Sequence, residues 1–162
     1  MHFINPFRGL RPNNSDNSKV ESIVIPSTDH LSKSIVENHK NNNPWSFIHV
    51  LDPIKNESLS ENKTRENTKN QFQKMKNNSI LIKDDIPSYY IYKITSEKHI
   101  QTGIIGRAKI SAYDNLHIRG HEEIYSERAQ ERSEQMLNLD AQIGPIYVIY
   151  PDSNDLTILI KE

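Results

Sequence analysis

The sequence predicts an α+β fold, a mostly antiparallel sheet with helices packed on one face. Three observations point there. The β-rich runs between residues 80 and 113 are parted by only a few residues each, which suits hairpins rather than crossover connections. A charged stretch from His121 to Leu139 carries Tyr125, Ala129, Met136 and Leu137 or Leu139 at helical spacing. A polar stretch from Ser58 to Lys76 has only Leu59, Phe72 and Met75 as anchors, the pattern of a helix that meets the core near its end.

In chain order, Val20 to Ile25 reads as a short strand ended by Pro26, and Thr28 or Asp29 then caps a brief helix to about Asn38. Asn41-Asn42-Asn43-Pro44 is a turn, and Trp45 to Val50 reads as a second strand, closed by Asp52-Pro53. Residues 55–79 form a polar helix or a partly mobile segment. A meander follows, with strands at Ile80 to Ile82, Tyr89 to Ile94, Ile100 to Ile105 and Ala108 to Tyr113. The helix from His121 to Leu139 comes next. Gly144-Pro145 stops the chain, and Ile146 to Tyr150 and Leu156 to Ile160 make a final strand pair. No internal repeat is present, and 162 residues suit one domain.

Hydrophobic residues make up 35% of the chain and the mean hydropathy is −0.73, low for a compact domain. The deficit lies in residues 13–19 and 55–79, so the core is expected mainly from the C-terminal half. Lys+Arg (20) and Asp+Glu (21) nearly balance, so neither nucleic acid nor an anionic membrane is an expected partner. The absence of cysteine excludes disulfides and thiolate metal sites. No apolar run approaches the roughly 20 residues that cross a bilayer. The start, Met1 to Arg8, lacks the charged leader and apolar run of a signal peptide, so a cytoplasmic location is expected.

The richest candidate site lies at the start of the charged helix. A step of about 100° per residue places Arg128 and Arg132 each within about 20° of His121, on one stripe beginning where backbone N–H groups point outward. Two guanidinium forks can hold phosphate or carboxylate oxygens, with His121 as a further contact or a weak candidate proton donor. The opposing reading is a solvated face neutralised by Glu127, Glu131 and Glu134. Arg8 and Arg11 flank Gly9 and can close over the same anion, or serve as a soluble surface arm. His49 sits in an apolar run; as a strand residue it shares a face with Trp45 and Phe47 and either lines a pocket or bonds to backbone.

Other chemistry is not supported. His117, His121 and Glu122 do not make a zinc helix, because Arg119-Gly120 separates the histidines; no metal is expected. Gly103, Gly106 and Gly120 lack the strand-loop-helix setting of a phosphate loop. No Ser-His-Asp set, carboxylate pair or nucleotide fingerprint appears, so no complete catalytic constellation is present and no cofactor is named.

Several segments together resemble one family. Phe7-Arg8-Gly9-Leu10-Arg11-Pro12 is similar to its N-terminal signature, and Pro26 with Asp29 to its Pro-Tyr-Asp-type turn. Asn43-Pro44-Trp45-Ser46-Phe47-Ile48-His49-Val50 resembles its Asn-Pro-aromatic-Ser-Phe-hydrophobic-His block. Tyr90-Ile91-Tyr92, Gln101 to Gly106, His121-Glu122, Gly144-Pro145-Ile146 and Tyr150 complete the order. The chain is identified on these residues with the prokaryotic domain of unknown function 1015 family. Longer members carry a later Asp-Gly-His-His-Arg-type motif, similar to the phosphate-handling loops of the ParB and free-serine-kinase fold, and this chain has no match to it. Thr28 and Ile124 also depart from the pattern, the first standing where the family has a tyrosine and so lacking its phenol, the second standing where it has a threonine and so lacking its hydroxyl.

The resemblance and the arginines together lead to an expected small anionic metabolite, bound by Arg8, Arg11, His49, His121, Arg128 and Arg132. The chain would then be the binding half of a phosphotransfer-like protein. The alternatives are an interaction module, whose sheet edge meets a partner chain supplying the missing C-terminal region, and a degenerate member without ligand.

Overall fold

Helix α4 (Glu61–Asn77) is the longest element and explains the packing around it. Its sequence is almost wholly polar, yet Thr68, Phe72 and Met75 fall at helical spacing and are buried. Ser60 caps it, its hydroxyl accepting from the Lys63 N–H at 3.3 Å, and Glu61 at the start and Lys74 and Lys76 at the end oppose the helix dipole. Caps and dipole stabilise the ends, and burial of one narrow face fixes the middle.

The computed structural model describes residues 4–14, 17–25, 31–51, 60–120, 123–151, 154 and 158. Alongside α4 it contains strands β1 (Ile4–Asn5), β2 (Leu10–Pro12), β3 (Leu81–Lys83), β4 (Tyr90–Ser96), β5 (His99–Ile105) and β6 (Arg107–Ala108). The other helices are α1 (Asn17–Ile23), α2 (Lys33–Asn42), α3 (Ile48–Leu51), α5 (Ile110–Asp114) and α6 (Ser126–Leu139). The fold class is α+β and every strand pairing is antiparallel: β1 with β6, β2 with β3, β4 with β5, in three separate two-stranded ladders.

The chain divides into two compact units. The first comprises residues 1–9, 85–128 and 142–162, and the second residues 10–84 and 129–141. In the first, β4 and β5 form a hairpin across Glu97-Lys98, with Tyr92 opposite Gly103. Tyr89 donates its hydroxyl to the Ile4 carbonyl at 2.9 Å, and the β1–β6 pair lies beside Gly106, where a Cβ would fall 2.1 Å from Ile4. In the second unit, β2 and β3 pair with Arg11 opposite Ile82, and α2, α3 and α4 pack in sequence.

The core lies elsewhere than composition suggests. Ile23, Ile48, Val50, Phe72, Met75, Leu81 and Leu139 are buried in the second unit, whereas in the first Ala112 is the buried apolar residue among those described. The N-terminal half is poor in apolar residues, but it places the ones it has on facing surfaces. The C-terminal apolar runs are largely exposed, Ile91, Tyr92, Ile94 and Ile100 among them.

Local expectations are corrected at five places. Residues 20–25 are not a strand: α1 reaches Ile23, whose side chain is buried and whose carbonyl accepts from the Phe47 N–H at 2.8 Å. The helix expected to about Asn38 begins at Lys33 and is capped by Ser32 rather than Thr28 or Asp29, both of which lie outside the described residues. Trp45 to Val50 is a turn leading into α3, not a strand. The Asn43 side-chain oxygen accepts from the Trp45 N–H at 3.0 Å and its carbonyl from the Ser46 N–H at 3.1 Å, a local alternative that overrides the β-branched and aromatic content. Residues 108–113 end β6 and form α5, and Ile146 to Tyr150 carries no strand pairing among the described residues; most of its expected partner, 156–160, lies outside them.

Replacing Phe72, whose ring meets Phe47 edge-on at 6.4 Å, tests this placement of the core. Phe72→Ala should cost about 3–5 kcal/mol in urea unfolding. Ile149→Ser, in an exposed apolar run, should stay within about 0.5 kcal/mol.

Candidate functional site

Each candidate cation is placed by its own element, and its neighbours decide what it can hold. Arg11, on β2, donates from Nε to Asp84 Oδ1 at 2.8 Å and from Nη1 to Asn14 Oδ1 at 3.1 Å. Arg8 lies 3.8 Å from the exposed Asp85 carboxylate. Asp84 and Asp85 were absent from the expected site; the signal for them was a pair of acidic residues directly after β3, the strand that pairs with the arginine-bearing arm.

The N-terminal arm around these arginines is built on Tyr90. The Phe7 and Tyr90 rings lie 5.1 Å apart, and the Phe7 N–H bonds to the Ser88 carbonyl at 3.1 Å. The Gly9 N–H donates to the Tyr90 hydroxyl at 2.6 Å, and a Cβ on Gly9 would stand 2.5 Å from that oxygen. Glycine is thus required here by close approach of the backbone.

His49 is on α3, not on a strand, so the face shared with Trp45 and Phe47 does not arise. Its Nε2 donates to the Asn43 carbonyl at 3.0 Å. Asn43 thereby orders the whole block, since its side-chain amide also donates to the Ser22 carbonyl. An asparagine before proline was legible as a turn; its hold on a histidine six residues later was not.

The helix expected from His121 begins at Ser126. His121 and Glu122 lie outside the described residues, so the imidazole is not placed against the arginines. Arg128 and Arg132 are both on α6, four residues apart and exposed. The Arg128 guanidinium stands over the Tyr125 ring at 5.7 Å, and Arg132 Nη1 donates to Gln135 at 3.3 Å. Glu134, which the sequence offered as a neutralising neighbour, instead binds Arg65 of α4 at 2.5 Å and accepts from Gln130 at 3.0 Å. Among the described residues, no carboxylate pairs with Arg128 or Arg132. Of the five described candidates, these two alone share an element; Arg8 and Arg128 belong to the first unit, and Arg11, His49 and Arg132 to the second.

The Gln130 amide first, and the Arg65 charge second, hold the Glu134 carboxyl below its ordinary 4.5. Arg65 is correspondingly raised, first by its hydrogen bond to Glu61 and then by Glu134. No group of three or more metal-ligating side chains occurs among the described residues, and no described helix is long and apolar enough to cross a membrane.

Two outcomes follow from this geometry. Gly9→Ala should destabilise the protein by about 1–3 kcal/mol in urea unfolding, by driving a methyl group into the Tyr90 ring. A carboxylate with a depressed value adds stability above its ordinary value and loses it as pH falls through the lowered one. The Tm deficit of Glu134→Gln should therefore be full near neutrality and shrink progressively below pH 4.5.

No curated protein and no solved structure matches the chain. A family model described as "Protein of unknown function (DUF1015)" matches residues 4–162. With nearly the whole length covered, the chain belongs to that family.

Proposed function

We propose that the chain is a cytoplasmic binding domain for a small phosphorylated or carboxylated metabolite, gripped by Arg128 and Arg132. One observation carries this reading: Arg128 and Arg132 are exposed residues one helical turn apart on α6, and no described carboxylate pairs with either. Like charges at this spacing repel mildly, and an anion between them turns that repulsion into two charge-assisted contacts. Both residues lie on α6, with Arg128 turned toward Tyr125 and Arg132 toward Gln135, so a shared anion would draw both side chains away from these neighbours. Arg8 and Arg11 have Asp85 and Asp84 beside them instead. His121, five residues before α6, stays a candidate contact on sequence grounds. Any phosphotransfer needs reacting groups beyond these arginines, which makes the chain the binding half of such a protein.

A second reading, an interaction module, is favoured by the β4–β5 hairpin. Ile91 (57%), Tyr92 (57%), Ile94 (49%) and Ile100 (58%) are exposed, with apolar side chains on both faces. An isolated two-stranded hairpin is marginally stable in water, so a partner chain supplying the C-terminal region of longer family members suits it.

Calorimetry against inorganic phosphate, phosphoserine, serine and adenine nucleotides separates the two. The first reading expects heat with at least one anion, and about tenfold or more weaker binding for Arg128→Ala and for Arg132→Ala. Equal affinity in both variants, or no heat with any anion, overturns it.

A further inference from the structure

Residues 129–139 of α6 meet the rest of the second unit through buried Leu139, half-buried Met136 and a set of polar bonds, while Leu137 is 81% exposed. Among the described residues, three side-chain hydrogen bonds cross from 129–141 to the remainder of that unit. Arg65 Nη2 donates to Glu134 Oε2 at 2.5 Å, Asn138 Nδ2 donates to the Arg65 carbonyl at 3.0 Å, and Gln135 Nε2 donates to the Val50 carbonyl at 3.4 Å. Two of the three meet at one residue, Arg65.

The charged groups at this junction each keep a second partner on their own helix. Arg65 Nη2 also reaches Glu61 Oε1 at 2.8 Å, one turn earlier on α4. Glu134 Oε1 accepts from the Gln130 amide at 3.0 Å, one turn earlier on α6. Separating the helices therefore strands neither charge, and both side chains are exposed enough to regain water. A buried ion pair would leave an uncompensated charge when opened; this one would not. α4 has its own N-cap, and toward its C-terminal end Phe72 meets the Phe47 ring rather than α6.

We infer that Arg65 and Glu134 form a reversible latch, from which α6 detaches over residues 129–139 while α4 stays folded. Exposure of Leu139 and loss of the Asn138 and Gln135 bonds oppose opening, and salt favours it by screening the ion pair. The helix that carries Arg132 is thus an adjustable arm, whether or not an anion binds there.

Hydrogen exchange of the full chain, read by mass spectrometry on wild type, Arg65→Gln, Glu134→Gln and the double variant, tests the latch. Each single variant should raise exchange over residues 129–139 up to about fivefold, with residues 66–77 unchanged. The double variant should match the singles rather than multiply them, and about 1 M salt should reproduce the effect in wild type. Common exchange of 129–139 and 66–77 at one rate would show α6 to be integral to the unit and overturn the inference. An unchanged 129–139 in both single variants, or independent effects in the double variant, would overturn it equally.

Discussion

Burial of one narrow face of α4 is the constraint on which the second unit depends. Phe72 and Met75 are placed inward by helical spacing, and Thr68 is buried without cost because its hydroxyl bonds to the Thr64 carbonyl at 3.0 Å. α3 lies against this face through Ile48, Val50 and the Phe47 ring, and Gln71 ties the Pro44 carbonyl at 2.8 Å. The chain leaves α4 through the Ile80 N–H bond to Met75 at 2.9 Å and enters β3 directly, which fixes where β2 pairs.

Carboxylate neighbours divide the arginines of the chain into two groups. Asp84 takes Arg11, Asp85 stands near Arg8, and Glu134 takes Arg65. Arg128 and Arg132 are left with an aromatic ring and an amide. The segment Phe7-Arg8-Gly9-Leu10-Arg11-Pro12 looked like a ligand-closing arm, but its side chains are engaged with the fold. Phe7 stacks on Tyr90, Gly9 yields its space to the Tyr90 hydroxyl, and Arg11 binds Asp84 across the start of the β2–β3 ladder.

Glu134 shows why the site was only partly legible. Sequence spacing offers Arg132 and Arg128 several carboxylates within one or two turns. The geometry gives one of these carboxylates to a residue 69 positions away. Contacts of that kind are invisible to periodicity, because periodicity compares residues along one helix and partner choice is made between helices. His49 is similar: its sequence surroundings suggested a strand face, and the Asn43 carbonyl decided its bond.

The sequence by itself determined the antiparallel hairpin of β4 and β5, the polar helix α4 with Phe72 and Met75 as anchors, the charged helix α6 over Ser126–Leu139 and the family to which the chain belongs. These follow from short-range information: caps, turn residues, period and ordered blocks. Only the tertiary structure decided that residues 20–25 and 45–50 are not strands and that the core sits around α4 rather than in the apolar C-terminal runs. It also decided which arginines keep their charge unpaired by any described carboxylate. In each case the outcome was set by long-range burial or by a polar group reaching across the chain, and no window of neighbouring residues contains either.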